Sequence, residues 1–249
     1  MIKILSYNVE AQRFYREEDI IGLGLEYYEW NIRLAQIIKI IDDSDSDIIC
    51  LQEIEITTFT LDYNSLIVDK YGYYGHPLPD KKRSSHIGNF ILYRKSKFNA
   101  TESKHTSSAV ILTLKDIITG ASICLANVHL KAGIIIPESI NTRISQLKSI
   151  FKHNIDIICG DFNDNFDCNK EIIKLVVDTG FTIHNKYLTC FTIDKVMDTN
   201  YWCFDNILTK NQFDVSIQQC PNIVGLQIPN DSIPSDHIPL TIVLEPKKC

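Results

Sequence analysis

The sequence has no apolar run long enough to cross a membrane, and the apolar stretch in its opening segment, MIKILSYNVE, is too short for a signal peptide. It also has no Pro-, Gly- or Ser-rich linker and no low-complexity tract in its 249 residues. We therefore expect one folded domain spanning residues 1–249. We expect a monomer inside the cell, with the cytoplasm favoured and the nucleus as the alternative.

A surplus of basic residues is missing as well, because the net charge is −6. Proteins that coat nucleic acid by electrostatic attraction carry a basic face that displaces counterions. The charge argues against that class of protein. It leaves room for an enzyme that gathers carboxylates around a cation, because the cation reverses the local sign.

No CxxC pair occurs among the eight cysteines. Cys50, Cys124 and Cys159 each lie inside an apolar run, where a free thiol behaves as a small hydrophobic side chain. These features favour a reducing compartment. The remaining composition, 45% hydrophobic and 22% charged, is that of an ordinary globular protein with a large core.

Short apolar runs alternate with amphipathic segments, which predicts a mixed α/β fold whose helices cover the faces of a sheet. Apolar spacing predicts a helix over 30–41 and another over 140–151, and a third from about 170 to 178 ends at Gly180. The predicted strands are residues 2–9, 47–53, 90–94, 155–163, 204–208 and 240–244, with a hairpin formed by 110–114 and 123–128.

Polar side chains stand where five of these apolar segments end or begin: Asn8, Glu53, His129, Asp161 and Asp236. A single aspartate at a strand end is about as often a cap for a turn or helix. Five such positions together favour a functional site, because strand ends that meet at one edge of a sheet are where α/β proteins assemble sites.

Carboxylates at these positions suit a hard divalent cation. Mg²⁺ prefers oxygen ligands and is usually held by one or two carboxylates together with substrate phosphate. Glu53 and Asp236 are the predicted metal ligands, and Mn²⁺ is the expected substitute. Asn8 supplies a neutral amide that either orients Glu53 or shares the water shell of the cation.

A cation held together with a substrate phosphate can assist hydrolysis of a phosphate ester. That reaction also needs a base that titrates near neutrality, and histidine suits this role. We predict that His237 is the base and that Asp205 fixes its tautomer by accepting a hydrogen bond. Asp161 and Asn163, two apart at a strand end, are predicted to align the water and donate to the phosphate. His129 is predicted to donate to a phosphoryl oxygen or the leaving group, with a structural histidine as the alternative.

Two further residues are candidates for substrate contact. Arg83 ends the run DKKR, which either clamps a phosphate or forms a solvated loop. Trp202 lies shortly before Asp205 and either stacks on a base or belongs to the core.

The motifs resemble those of the endonuclease/exonuclease/phosphatase superfamily, which includes DNase I, in the same order and over essentially the whole chain. GDFN together with SDHIPL is the most specific part. The resemblance implies a four-layer α/β sandwich of two packed mixed β-sheets flanked by helices, with the site at one end between the sheets. The matching segments are SYNVE with Asn8, LQEIE with Glu53, NVHLK with Asn127 and His129, GDFND with Asp161 and Asn163, FDNIL with Asp205, and PSDHIPL with Asp236 and His237.

The resemblance also implies magnesium-dependent cleavage of phosphate esters, the site roles given above, and a substrate contact for Asn127. EWNIRLAQII followed by DIICLQEIE, and HLKAG with RISQL, look most like the deadenylase branch that includes nocturnin and the Angel proteins. That branch implies a 3′ exonuclease acting on single-stranded RNA. IGNFILYRK departs from it, because the Asp-Gly pair common in deadenylases is absent.

Three alternatives remain at this point. One is a DNA-directed nuclease or a repair enzyme that resembles tyrosyl-DNA phosphodiesterase. Another is a phosphatase or lipid phosphodiesterase on the same fold. The third is a binding scaffold without catalysis, against which the presence of every expected acid and histidine speaks.

Overall fold

The computed structural model describes residues 1–14, 29–78, 86–133, 136–166, 169–191, 201–218, 222–226, 228–230 and 232–247, so Arg83 lies outside the described residues. The helices are α1 (Trp30–Ser44), α2 (Phe59–Asp62), α3 (Asn64–Ile67), α4 (Pro137–Ile150) and α5 (Lys170–Asp178). The strands are β1 (Ile2–Asn8), β2 (Ile48–Glu55), β3 (Tyr71–Gly75), β4 (Ile87–Arg94), β5 (Phe98–His105), β6 (Ala109–Asp116), β7 (Ser122–His129), β8 (Ile157–Asp161), β9 (Phe181–Ile183), β10 (Cys190–Phe191), β11 (Tyr201–Trp202), β12 (Asp205–Lys210), β13 (Phe213–Ile217) and β14 (Leu240–Pro246).

Twelve of these strands form two six-stranded sheets. The first sheet has the order β13-β14-β1-β2-β4-β3, and the second has the order β5-β6-β7-β8-β12-β9. Both are mixed, because β1 pairs in parallel with β2 and β7 pairs in parallel with β8, while the other neighbours are antiparallel. β10 and β11 form a separate two-stranded ribbon.

Apolar packing divides the molecule into four layers. Side chains of both sheets, such as Ile91 from the first and Leu112 from the second, share one buried cluster between the sheets. Ile37 and Ile41 of α1 cover the outer face of the first sheet. Leu147 of α4 packs with residues of the second sheet on its own outer face. The predicted α/β sandwich of two mixed sheets flanked by helices is confirmed.

Local sequence signals account for much of this layout. α5 has the predicted bounds, because Asn169 caps its start by accepting a hydrogen bond from the Ile172 amide and Gly180 follows its end with φ of +84°.

β5 was not predicted, since seven of its eight residues are exposed and no alternation of apolar and polar residues marks it. No helix of the described segments has the length and apolar character needed to cross a membrane.

The directions of the strands bring polar residues to one edge. β1, β2, β7 and β8 all finish there, and β12, which is antiparallel to β8, begins there. In register, His129 pairs with Asp161, and Asp161 pairs with Asp205 on its other side. The convergence follows from strand direction, because a parallel neighbour ends where an antiparallel neighbour begins.

Asn127 ties the two sheets together behind this edge. Its Nδ2 donates to the carbonyls of Leu51 and Phe90 at 2.8 Å each, and its Oδ1 accepts from Gln52 Nε2 at 2.7 Å. The side chain is fully buried. The substrate contact implied for Asn127 by the resemblance does not fit these contacts, because the side chain does not line the cavity and its amide is used between β7 and the first sheet.

We expect Asn127→Ala to lower the free energy of unfolding by about 3 kcal/mol, because two buried carbonyls and the side-chain amide of Gln52 each lose one hydrogen bond. Urea denaturation measures the change. Asn99→Ala, at an exposed position of β5, is the matched control and is expected to change stability by less than about 0.5 kcal/mol. Equal effects of the two substitutions would contradict the structural role of Asn127.

Candidate active site

A cavity of about 430 Å³ opens at the edge where the strands converge. Within the described part of the chain, the lining contains acids, histidines and aromatic rings but no lysine or arginine. The lining residues are Glu10, Phe14, Glu53, His129, Ala132, Asp161, Asn163, Cys190, Phe191, Phe204, Ile228, Pro229, Asp236 and His237.

Asn8 joins two of the carboxylates from beneath the cavity. Its Nδ2 donates to Glu53 Oε1 at 3.2 Å and to Asp161 Oδ2 at 3.0 Å. Its Oδ1 accepts from the backbone amide of Glu10 at 3.0 Å. Of the two roles expected for Asn8, the observed contacts match orientation of Glu53, and they extend it to Asp161 on the other sheet.

The backbone of β2 is distorted where Glu53 enters the site. The pairing of β2 with β4 shifts register between Leu51 and Ile54, and Glu53 has φ of +59°. A non-glycine residue in this region costs about 1–3 kcal/mol. The distortion turns the carboxylate toward the Ala11 amide, which donates to Glu53 Oε2 at 3.0 Å.

Asp161 is almost fully buried at the end of β8 and is held by Asn163. The amide of Asn163 donates to Asp161 Oδ1 at 2.7 Å, and Asn163 Nδ2 donates to Leu130 O at 3.0 Å and Asp161 Oδ2 at 3.3 Å. Two of these three hydrogen bonds hold Asp161 in place, and together the contacts use both hydrogens of the Asn163 side-chain amide. The predicted donation from Asn163 to a phosphate does not fit these contacts.

Gly160 allows the approach of β7 to β8 at this point. It has φ of +139°, and a Cβ atom there would lie 2.0 Å from the carbonyl oxygen of Val128. Only glycine therefore fits before Asp161 in the motif GDFN, because any side chain would push the two strands apart.

His237 and Asp205 form a close buried pair. His237 Nδ1 donates to Asp205 Oδ2 at 2.7 Å, and both side chains are at least 95% buried. His237 Nε2 faces Asp161 Oδ2 at 3.7 Å and Asp236 Oδ1 at 3.9 Å. Asp205 thus fixes one ring nitrogen, and the other nitrogen points toward the acids of the cavity.

His129 stands on the opposite side of Asp161. Its Nε2 lies 3.6 Å from both Glu53 Oε1 and Asp161 Oδ2, beyond the usual hydrogen-bond distance, and the side chain is 25% exposed.

Together these contacts show where the predicted residues lie. Asn8 and seven others line one cavity or lie directly behind it: Glu53, His129, Asp161, Asn163, Asp205, Asp236 and His237.

Sequence reasoning missed Glu10. Its Oε2 accepts from the Asp236 amide at 3.1 Å and lies 3.7 Å from Nη2 of Arg33. Arg33 is almost fully buried and also donates to the carbonyls of Val9, Glu10 and Pro234. The available signal was the position of Glu10, two residues after Asn8, at the end of the same strand.

Of the two roles expected for Trp202, the core role fits its contacts. Trp202 does not line the cavity; it stacks on Phe204 with ring centroids 5.6 Å apart and an interplanar angle of 9°. Phe204 lines the cavity in its place, together with Phe14 and Phe191. Phe204 immediately precedes Asp205, so the motif FDNIL carried this signal in the sequence.

Burial, together with neighbouring charges, shifts the pKa values of several groups in the cavity. Burial raises the pKa of Asp236 to about 6, with the charges of Glu53 and Asp161 acting in the same direction. Burial also raises the pKa of Glu10 and of Asp161. Burial lowers the pKa of His237, but Asp205 and the other negative groups outweigh it, so the pKa lies well above its usual range.

The donor set of the cavity fits a hard divalent cation. Glu53, Asp161 and Asp236 present carboxylate oxygens to one space without a lysine or arginine among its described lining residues. Beyond the effect of its burial, the charges of Glu53 and Asp161 raise the pKa of Asp236, against the opposing charge of His237. Mg²⁺ prefers this oxygen chemistry.

Comparisons with known proteins agree with these observations. The sequence profile described as "Endonuclease/Exonuclease/phosphatase family" matches residues 5–237. The Saccharomyces cerevisiae CCR4-Not complex 3′-5′-exoribonuclease subunit Ccr4 is 22% identical over 318 residues. The match covers 95% of this chain but 38% of Ccr4, so the chain spans well under half of that relative.

Solved structures share the fold. The human nocturnin catalytic domain has a TM-score of 0.69 and 19% identity, covering 98% of this chain and 93% of that chain. ANGEL2, described as a 2′,3′-cyclic phosphatase, has a TM-score of 0.74 and 17% identity, covering 98% of this chain and 94% of its own. At these identities the likeness shows the fold.

We expect Mg²⁺ to raise the melting temperature of the protein, because a ligand that binds only the folded state stabilises it. At a concentration one hundred times the Kd, the gain is about 2.7 kcal/mol. Glu53→Gln is expected to remove most of this gain, measured by differential scanning calorimetry. Glu102→Gln, on exposed β5, is the matched control and should retain it. An undiminished gain in Glu53→Gln would exclude Glu53 as a ligand.

We also expect the affinity for Mg²⁺ to rise with pH across about pH 6. Below the raised pKa of Asp236 a proton competes with the cation for the carboxylate, and above it the carboxylate is free. Isothermal titration calorimetry at pH 5.5 and 7.5 measures the two Kd values. Asp236→Asn is expected to bind more weakly and with less dependence on pH. A Kd that is the same at both pH values in the unmodified protein argues against this role of Asp236.

Proposed function

The chain belongs to the endonuclease/exonuclease/phosphatase family, and on that premise we propose that it is a magnesium-dependent phosphodiesterase acting as a 3′ exonuclease on single-stranded RNA. The observation that carries the proposal is the Asp205–His237 pair, with Nδ1 held at 2.7 Å and Nε2 directed at the carboxylates of the cavity. A base beside a set of metal-type ligands is the equipment for hydrolysis of a phosphate ester.

The charge of the cavity supports the need for a cation. A phosphodiester is an anion, and four acids, Glu10, Glu53, Asp161 and Asp236, line the space that it would enter. Among the described lining residues no lysine or arginine offsets this repulsion. Glu53 and Asp236 would hold Mg²⁺, which when bound polarises the phosphoryl oxygens and balances their charge.

The protein groups then divide the chemical work. Asp205 fixes the ring of His237, so that Nε2 is the nitrogen that accepts a proton from the attacking water. With the charge of the acids offset, the pKa of His237 returns toward the range of a base. Asp161, held by Asn8 and Asn163, lies 3.7 Å from Nε2 and is placed to align the water.

His129 is suited to stabilise the other side of the phosphate. Its side chain is partly exposed to the cavity and lies equally far from Glu53 and Asp161. An N–H at this position can donate to a phosphoryl oxygen or to the leaving group. Because its present distances of 3.6 Å are too long for hydrogen bonds to the acids, that donor is not committed to them.

The apolar part of the cavity supports a nucleotide as substrate. Phe14, Phe191 and Phe204 present aromatic surface on which a base can stack, and stacking contributes about 1–3 kcal/mol per base. Ccr4 is named as a 3′-5′-exoribonuclease, which supports the choice of RNA and of polarity. The five described cysteines are free, which supports an intracellular site of action.

A phosphatase acting on a small phosphate ester is the second candidate. The volume of about 430 Å³ is within the range of small-molecule sites, and ANGEL2 is described as a 2′,3′-cyclic phosphatase. A DNA-directed enzyme and an inactive scaffold remain the further alternatives. The first two candidates differ in whether the substrate extends beyond the cavity.

A substrate panel tests this proposal. With Mg²⁺ present, we expect release of mononucleotides from the 3′ end of poly(A), and slower or no release from single-stranded DNA, a tyrosyl-DNA conjugate, phosphoinositides, 2′,3′-cyclic nucleotides and sugar phosphates. Chromatography of the products measures the rate and polarity. Inertness toward every polynucleotide with turnover of a small ester would replace the exonuclease by the phosphatase.

We expect His237→Ala and Asp161→Asn to reduce kcat by about 10²–10⁴-fold, since each removes a group that acts on the attacking water. The rates are measured on whichever substrate the panel identifies. His153→Ala, outside the cavity, is the control and should retain the rate. A near-full rate in His237→Ala would remove His237 as the base.

A further inference from the structure

One donor of the cavity has no part in the magnesium chemistry. The thiol of Cys190 lines the same space as Asp236 and His237, and the side chain is 1% exposed. Burial raises the pKa of this thiol, so without a cation it is a protonated group and not a nucleophile. Its position beside an imidazole and a carboxylate changes what it can bind.

Three different ligand types meet at this point. The ligand atoms of Cys190, Asp236 and His237 all lie within 4.8 Å of one another. A tetrahedral Zn²⁺ site with bond lengths of about 2.0–2.3 Å places its ligand atoms roughly 3.4–3.6 Å apart. The largest separation allowed by this limit exceeds that geometry by only about 1 Å.

The backbone holds the ligands in this arrangement. Cys190 and His237 form an antiparallel bridge. On either side of it, the Phe191 amide donates to Asp236 O at 2.9 Å and the Ile238 amide donates to Thr189 O at 2.8 Å. The residue pairs that bear the ligands are therefore fixed to each other before any ion binds, which lowers the entropy cost of binding.

Asp205 completes the arrangement from behind. Histidines that bind metals usually donate their second ring N–H to a carboxylate, which fixes the tautomer and strengthens the ligand. His237 Nδ1 donates to Asp205 Oδ2 at 2.7 Å, so Nε2 is the nitrogen left for an ion in the cavity. Three protein ligands leave the fourth position to water or to a phosphate oxygen.

The ligand chemistry separates this cluster from the magnesium ligands. Mg²⁺ takes oxygen and leaves thiolates aside, whereas thiolate and imidazole select Zn²⁺ and other softer cations. Glu53 and Asn8 provide only oxygen and amide groups, and Cys190 provides the sulfur. The cavity thus has a hard side at Glu53 and a softer side at Cys190, with Asp236 between the two donor sets.

We propose that Cys190, Asp236 and His237 form a Zn²⁺ site that inhibits the enzyme. Zn²⁺ takes the place of the thiol proton of Cys190 and of the proton on Nε2 of His237, and both protons are released to solvent. The nitrogen that serves as the base is then unavailable. The inhibition rests on the proposed function, whereas the binding of zinc does not.

Binding is tested on the full chain in excess Mg²⁺ without any substrate. We expect one Zn²⁺ to bind by isothermal titration calorimetry, and Cd²⁺ to produce the ultraviolet charge-transfer absorption of a cadmium thiolate. Cys190→Ser is expected to lose the absorption and at least about tenfold in zinc affinity, which is about 1.4 kcal/mol. Cys203→Ser, a buried thiol that does not line the cavity, is the matched control and should keep both.

The structure of each variant is checked by its melting temperature, and Cys190→Ala repeats the test if the serine variant unfolds. Absorption and zinc affinity that are unchanged in a folded Cys190 variant would overturn the proposed site. Zinc binding at the wild-type level in Cys203→Ser with loss in Cys190→Ser supports it.

Inhibition is tested on the substrate found by the panel, with each protein compared with its own rate without zinc. We expect Zn²⁺ to inhibit the unmodified protein in excess Mg²⁺, and a folded Cys190→Ser variant to need at least about ten times more zinc for the same inhibition. Equal sensitivity of the two proteins would show that zinc acts at the magnesium ligands and would overturn the inhibitory role. Zinc binding that depends on Cys190 in a protein without activity on any substrate would refute the proposed function and leave the zinc site standing.

Discussion

Repulsion among the carboxylates of Glu10, Glu53, Asp161 and Asp236 is the constraint on which the site depends. Buried carboxylates are costly unless hydrogen bonds or opposite charges compensate them. The protein provides amide donors from Asn8, Ala11, Asn163 and Asp236, and the guanidinium of Arg33 near Glu10. The pKa values of Glu10, Asp161 and Asp236 are nevertheless raised, chiefly by burial and further by neighbouring acids. Carboxylates in such a setting suit a hard divalent cation.

The scaffold provides the stiffness that such an arrangement needs. Asn8 donates across from the first sheet to Asp161 on the second, and Asn127 reaches back from the second sheet to carbonyls of the first. The two sheets are therefore joined by polar contacts at the edge as well as by the apolar cluster between them. Because Glu53, His129, Asp161 and Asp205 sit on paired strands, the separations among these side chains are set by sheet geometry.

The proposed hydrolysis and the proposed zinc inhibition use the same cavity. Glu53 offers oxygen ligands on one side, and Cys190 offers sulfur on the other. His237 is common to both, since its Nε2 is placed for proton transfer in the proposed reaction and for a softer metal in the proposed inhibition. A single histidine can serve in these two ways because Asp205 fixes the tautomer in both cases.

The sequence determined the α/β class and, apart from Glu10, the acids, amides and histidines that meet at the cavity. Strand ends could be read locally, because an apolar run that stops at an acid or histidine leaves a signal in a few neighbouring residues. β5 was not predicted, because its exposed residues show no alternation of apolar and polar side chains. The family resemblance supplied the two packed sheets that periodicity cannot give, since pairing between distant strands leaves no local trace.

Only the tertiary structure decided which polar atoms were free. Asn127 and Asn163 look like substrate contacts in their motifs, yet their amides are used by Leu51, Phe90 and Leu130. Cys190 looks ordinary in the sequence, Glu10 is marked only by its position two residues after Asn8, and both line the cavity. The physical reason is that a hydrogen bond depends on distance and direction between residues far apart in the chain, and these are fixed only when both sheets have packed.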